Sequence, residues 1–587
     1  MQFKAEGCQL TTIMMMPKTT YFIPRYQRPY SWGREQVSDF WEDLNNSFHE
    51  DTGFFFGTMI FCPRGDEAKA IVDGQQRFTT ATILLAALRD SMLARDTEAA
   101  EKKAREVQES LLFTNFNFGD SRPTLSVQDE VGGYFRETFQ TFPPPEKRTA
   151  PPKTSSKWKM YDAYKYFFAR IEEMTGRMDD DHCIDHLYKF CSAITKIQLI
   201  SISVPKQDDA YSIFETVNAR GSTLDASDLI KNHICRKVAP EGDGDSAQER
   251  WGRMKKNLTG FEDDSDKEYS IAKFIRYHYM SKYGFCTNSE LYKKVRDNKD
   301  LEMDEFLDDL VSDSKIFGGM LNGRLDTIPF EQGHFKYKIR AEKSLVNLGE
   351  MGVDQHYVFS LCLMRNFGLL KLKQPRRPHE ILKKIEKFNF LYHAVCSLSS
   401  NRVEKLYSKC AVQLEEACKS GNSRAQRATI ETLENRLRGL VPKIDVFKEK
   451  FSLVSYKKSF KSRAMIRYVL GEFEALGATG EMEIARDISI EHILPKKPDK
   501  WGYTRSQIRF FVNNIGNLVL LSQPLNSEAS NSELGEKLGI LGKSEIRFTR
   551  ETVDAIRAQK SLKWGEKQIQ ARNEYLAERG YREIWRI

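Results

Sequence analysis

At 587 residues the chain is too long for one compact core, so two to four domains are expected. A hydrophobic content of 40% with 29% charged residues describes an ordinary soluble globular protein, and a net charge of +8 with a pI near 8.7 points only weakly to nucleic acid. No apolar run approaches the roughly 20 residues of a membrane span, and the ten scattered cysteines form no CxxC pair of a zinc ribbon.

Residues 9–24, ending in Tyr21-Phe22-Ile23-Pro24, read as short strands. The loop Arg25-Tyr26-Gln27-Arg28-Pro29-Tyr30-Ser31-Trp32 follows. Its arginines suit phosphate, and its aromatics either stack on bases or pack a small domain. A helix after Ser31 is apolar at Val37, Phe40, Trp41 and Leu44. Phe54 to Phe61 reads as a buried strand, returned by a hairpin through Pro63–Asp66 to Ile71-Val72.

Next comes Asp73-Gly74-Gln75-Gln76-Arg77, and an apolar helix is predicted from about Thr79 to Leu88. Strand, glycine turn and helix start together make a natural anion site, because free N–H groups and the macrodipole favour negative charge there. Gly74 lets backbone approach a phosphate, Arg77 adds a forked cation, and Asp73 suits a metal or a water. The alternative is a polar turn that only caps a core helix.

Glu98–Gln108 reads as a solvated helix, and the prolines from Pro143 to Pro152 as a stiff loop. His182 and His186 lie one helical turn apart. Without a third ligand or an intervening glutamate base they read as a surface or core pair. A helix with apolar Ala210, Ile213, Phe214 and Val217 ends near Gly221, carrying Glu215, Asn218 and Arg220, with Lys231 beyond. Pro240–Asp245 is a linker, and residues 247–450 are mainly helical. The basic run Lys371–Pro378 is either a DNA-backbone contact or a solvated loop.

Near the end, Glu491-His492 closes a predicted strand. Downstream stand Asn513, Asn514, Gly516-Asn517, the fully apolar Leu518–Leu521, Asn526, Asn531 and Lys537. Phosphodiester cleavage needs a base, a hard cation and a group that orients the base. His492 fits the base, Glu491 and Asn526 offer oxygen ligands of the kind Mg²⁺ prefers, and Asn517 is placed to orient the imidazole.

Two sets of motifs carry a resemblance. Asp73-Gly74-Gln75-Gln76-Arg77, Ile23-Pro24-Arg25-Tyr26-Gln27-Arg28 and the segment from Ile213 to Lys231 resemble the ParB-like N-terminal domain of the GmrSD family of modification-dependent (type IV) restriction enzymes. Glu491–Pro495, Gly516–Leu521 and Asn526 resemble that family's HNH-type (His-Me finger, ββα-metal) nuclease domain. The resemblance implies nucleoside triphosphate binding and hydrolysis by Asp73, Gly74, Gln75, Gln76, Arg77, Arg25, Gln27, Arg28, Glu215, Asn218 and Arg220. It implies His492 as general base, Asn517 as its positioner, and Glu491 with Asn526 as ligands of Mg²⁺ or Mn²⁺, Asn531 being a rival ligand.

The expected fold is α+β and multidomain: a ParB-like α/β domain over 1–240, a helical connecting region over 241–450 and an HNH-type nuclease over 451–587. The expected protein is cytoplasmic, since Met1–Glu6 opens no signal segment, and its partners are modified phage double-stranded DNA and GTP, UTP or ATP. No membrane partner is expected, and homo-oligomerisation stays open. Two alternatives share the sequence features: a phosphorothioate-sensing NTPase-nickase of the same plan, and a nucleotide-gated DNA-binding protein with an inactive nuclease site.

Overall fold

The computed structural model describes residues 3–24, 27, 29–50, 52–116, 119–127, 131–146, 148–153, 155–176, 178–206, 209–210, 213, 226–238, 246–259, 270–328, 335–373, 376–476 and 488–587. Contacts divide the chain into two units, Met1–Ala239 and Pro240–Ile587. Strands and helices mix in the first and helices dominate the second, so the protein is α+β and multidomain.

The first unit is built on a mixed sheet of β1 (Lys4–Gln9), β2 (Thr20–Ile23), β3 (Phe55–Arg64), β4 (Ala68–Asp73), β7 (Leu125–Val127) and β8 (Gln198–Ser203), in the order β1-β8-β3-β4-β2-β7. Two short strands, β5 (Phe113–Asn115) and β6 (Ser121–Pro123), pair separately. The hairpin predicted through Pro63–Asp66 joins β3 to β4 antiparallel, and β2 runs parallel to β4. Residues 9–24 are not all strand. Leu10, Ile13 and Met14 are buried at helical spacing and form a helix, Leu10–Met14, between β1 and β2.

Alternation along β3 and β4 splits the apolar side chains between two cores. Met59, Phe61 and Ile71 join one, with α1 (Arg34–Glu50), α2 (Gln75–Leu93), α3 (Ser156–Thr175) and α4 (Asp180–Thr195). Ile60, Cys62, Ala70 and Val72 face the other. Helix α2 is buried on nearly every side, as a helix apolar all round must be. It starts at Gln75, four residues before the predicted start, so the polar Gln75-Gln76-Arg77 form its first turn. On α4 the two histidines part: His182 Nδ1 pairs with Asp179 in solvent, and His186 meets the Phe48 ring edge-on at 5.4 Å.

In the second unit, α5 (Ile271–Lys282), α6 (Met303–Leu321), α7 (Tyr357–Arg365) and α8 (Asn401–Lys419) are tied by one partly buried cation. Arg365 donates to Asp313 (3.0 Å), Glu415 (3.0 Å) and Ser281 (2.5 Å). Burial opposes ionisation of Asp313, yet Arg365 and His278 hold its carboxyl down at about 2. In the basic run, Arg376 pairs with Glu431 at 2.8 Å.

The chain end centres on an antiparallel pair, β9 (Ser489–His492) and β10 (Leu518–Leu521), with Leu518 opposite His492 and Val519 opposite Glu491. Leu518 and Leu520 enter a core with Phe390, Phe447, Phe451, Phe473 and Trp585. Val519 and Leu521 enter another with Ile493, Leu538, Trp564 and Ile569. Burial on both faces explains why this strand does not alternate. Because Phe390 and Phe447 precede residue 451, the helical region and the chain end share one core. Among the described residues, no helix is long and apolar enough to cross a membrane.

Candidate functional site

The first candidate site sits where β4 turns into α2. Gly74 has φ +94°, and a Cβ there would lie 2.6 Å from Met59 Cγ. That tight turn sets the helix start. Arg77 folds back one turn to pair with Asp73 Oδ2 at 3.3 Å and donates to the Phe56 carbonyl at 3.1 Å. It fits because residue 57 is glycine, also at φ +94°: a Cβ there would stand 2.2 Å from Arg77 Nη1. Asp73 and Arg77 are therefore a mutually neutralised, partly exposed pair.

The glutamines do a different job. Gln27 Nε2 donates to the Val72 carbonyl at 3.1 Å, and Gln75 Nε2 lies 3.5 Å from Gln27 Oε1. Gln76 accepts from the Ser31 N–H at 2.8 Å and donates to the Pro29 carbonyl at 3.3 Å. Tyr30 adds a 2.8 Å bond to Thr80. All three glutamines are buried. They fasten Gln27, Pro29 and Ser31 to the end of β4 and the start of α2, a role the sequence did not reveal. Arg25, Arg28, Glu215, Asn218 and Arg220 lie outside the described residues.

The second candidate site lies on β9. His492 is 7% exposed, and its Nε2 is 3.1 Å from Asn513 Oδ1. An amide oxygen only accepts, so this bond selects the Nε2–H tautomer and puts the basic lone pair on Nδ1. Burial lowers the imidazole pKa to about 4, helped by Lys496 and Lys537 and opposed by Asn513. Tyr456 meets the ring edge-on at 5.2 Å.

The expectation that Asn517 orients His492 does not hold. Its side chain is fully buried and committed elsewhere. Oδ1 accepts from the Leu494 N–H (2.8 Å) and Trp564 Nε1 (2.9 Å), while Nδ2 donates to the carbonyls of Leu494 (2.9 Å) and Val512 (2.8 Å). Asn517 pins the turn after His492, and the ring's partner is Asn513. Asn514 is structural too, capping Gly516 N at 2.9 Å and bonding to Ser452 and Asn573.

Glu491 precedes the imidazole in sequence and is 13% exposed at its side chain. Its Oε1 lies 2.6 Å from Lys537 Nζ, a fully buried ammonium that also donates to the Ser530 carbonyl at 2.7 Å. Burial lowers the Lys537 pKa, against the pull of Glu491. Asn526 belongs to the helix Gln523–Ala529, one turn beyond Gln523, whose side chain hydrogen-bonds Ser489 on β9. The predicted start near Asn526 thus falls three residues late. Among the described residues, no group of three or more His, Cys, Asp or Glu is placed to hold a metal. A zinc-type cage is therefore absent there. One carboxylate plus one amide oxygen does suit a hard cation that keeps most of its waters, as Mg²⁺ does.

Two family models match this chain. The GmrSD restriction endonuclease N-terminal domain covers residues 10–235, which contain the first site, and the GmrSD restriction endonucleases C-terminal domain covers residues 441–579, which contain the second. The protein is in class a restriction endonuclease, with DNA as its partner. More particularly, it belongs to the GmrSD family and carries both domains in one chain. No curated protein matches it.

Proposed function

We propose that the protein is a modification-dependent DNA endonuclease of phage defence. It binds and hydrolyses a nucleoside triphosphate at the Asp73–Arg77 turn, and it cuts DNA bearing hydroxymethylated or glucosylated cytosine at His492. The observation that carries the cutting half is an imidazole that burial keeps neutral and Asn513 locks in one tautomer, next in the strand to Glu491.

Neutral His492 takes a proton from water through Nδ1. The water oxygen bonds to phosphorus, the P–O3′ bond breaks, and the leaving oxygen is protonated from solvent. Glu491 and Asn526 would hold Mg²⁺ or Mn²⁺, which supplies charge neutralisation at the phosphate and the leaving oxygen. Lys537 fixes the Glu491 rotamer from the buried side. At the first site the backbone of the α2 start and Arg77 would take the phosphates, provided Arg77 exchanges Asp73 for the ligand. The buried glutamines hold that turn in shape.

The test is digestion of glucosylated, hydroxymethylated, phosphorothioated and plain DNA with Mg²⁺ or Mn²⁺, by wild type and His492→Ala. Cleavage of the cytosine-modified substrates by wild type alone is the expected result. Indistinguishable behaviour of the two proteins on every substrate would overturn the reading.

A further inference from the structure

The loop that supplies Asn513 also carries Phe510, 80% exposed at the end of a turn. The root of the turn is firm: the N–H groups of Phe511 and Val512 both bond to the Ile508 carbonyl, at 3.1 and 2.9 Å, and all three side chains are buried. An apolar ring is thus held out in water on a fixed support. Asn513 lies three residues further on, a chain length that spans at most about 11 Å. The Arg509 guanidinium stands 4.4 Å from the Phe510 centroid.

Tyr456 also adjoins the imidazole, its backbone N–H donating to the Asn513 carbonyl at 2.7 Å. Lys496 Nζ lies 4.2 Å from the Tyr456 centroid, and Lys457 and Lys458 follow in the chain, exposed. None of Lys457, Lys458, Lys496 or Arg509 forms an ion pair with a carboxylate of the described residues. Arg276, Arg365 and Lys383 elsewhere in the unit do. Lys458 repels the Lys496 ammonium: burial and Lys458 lower its pKa, against the pull of Glu491. A polyanion laid across them would relieve that repulsion.

A protruding aromatic ring with a guanidinium against it, on a loop hydrogen-bonded to a lysine-bearing segment, has the make-up of a nucleic-acid wedge. We propose that Phe510 inserts against the bases beside the scissile phosphate, while Arg509, Lys457, Lys458 and Lys496 grip the neighbouring phosphates. The inference rests on the endonuclease reading and adds to it the element that distorts the DNA at the cut.

The experiment uses the full chain carrying His492→Ala, so that DNA stays intact, and a cytosine-modified duplex with 2-aminopurine near its centre. Unstacking by Phe510 should raise the fluorescence on binding. Adding Phe510→Ala should remove the rise and weaken binding about 5- to 100-fold, while Phe510→Trp keeps both. Lys457→Ala with Lys458→Ala should lower the slope of log affinity against log salt by about 2. Unaltered fluorescence and affinity in the Phe510→Ala protein would overturn the wedge while leaving cleavage by wild type, assayed separately, to stand. Failure to bind the duplex would sink the wedge, and failure of wild type to cut any DNA would sink the endonuclease reading as well.

Discussion

Asn513 and Asn517 are four residues apart and make opposite predictions. Asn513→Ala removes only the acceptor that selects the tautomer of His492. Cleavage in a single turnover should fall about 10- to 100-fold, the usual cost of losing such a partner, and the one buried N–H left unpaired should cost no more than about 1–3 kcal/mol in a urea melt. Asn517→Ala orphans four partners inside the fold, the Trp564 N–H among them. At about 1–3 kcal/mol for each buried group left unpaired, destabilisation of about 3 kcal/mol or more is expected in the same melts. Comparable stability of the two variants would reject the division of labour. The pH profile gives a second check. The base must be neutral to work, so the acid limb of cleavage follows the His492 pKa, which burial holds at about 4. Cleavage should therefore persist well below the ordinary imidazole value of about 6.5. Asn513→Asp keeps an acceptor and adds a negative charge. The charge favours the imidazolium, raises the pKa and moves the limb to higher pH.

At the scale of elements, the turn before α2 depends on two glycines with the same positive φ and different neighbours. Gly74→Ala places a Cβ 2.6 Å from Met59 Cγ in a left-handed conformation. Strain and collision should cost about 1–3 kcal/mol in a thermal or urea melt. Gly57→Ala meets the Arg77 guanidinium instead, the end of a flexible side chain. Its stability cost should be smaller, and its main effect should be loss of triphosphate affinity by calorimetry as Arg77 is displaced. Full affinity in the Gly57 variant would remove Arg77 from the phosphate site. In the second unit, Arg365→Ala strands Asp313 and Glu415 without their shared cation, and about 3–5 kcal/mol of stability should go with it. These elements differed in how visible they were beforehand. The β3–β4 hairpin showed itself through a polar Gly-Asp turn between apolar runs, and the buried β10 through four apolar residues in succession. The first turn of α2 did not, because glutamine and arginine carry no apolar signal and the glutamines' partners sit in a distant loop. The Asn513–Asn517 assignment failed for a related reason: a turn decides which amide points at the ring, and strand periodicity does not reach into it. Asn513 stood in the chain as one of a tandem pair, the single hint available. The network around Arg365 left no trace, since its members come from four separate helices.

At the scale of the molecule, the two family domains place two candidate chemistries in one polypeptide, at Asp73–Arg77 and at Glu491–His492. A shared chain does not itself make one machine. Coupling requires that triphosphate at the first site change the free energy of DNA engagement or cleavage at the second, and the change must be reciprocal for binding. Asp73→Ala separates the possibilities. It frees Arg77 from its 3.3 Å partner and leaves the sequence of β9 and of the helix that carries Asn526 as it is. If Asp73 serves hydrolysis, turnover of the triphosphate should collapse. If the sites are coupled, the ratio of DNA cleavage with and without triphosphate, measured for wild type, should also move by at least about 5-fold in the variant, the lower end of ordinary allosteric coupling. A variant that loses hydrolysis yet cleaves identically with and without nucleotide, as wild type does, would show two independent activities joined by a peptide bond. A wild type whose cleavage responds to nucleotide and a variant locked at one level would instead show that the Asp73–Arg77 pair is part of the switch.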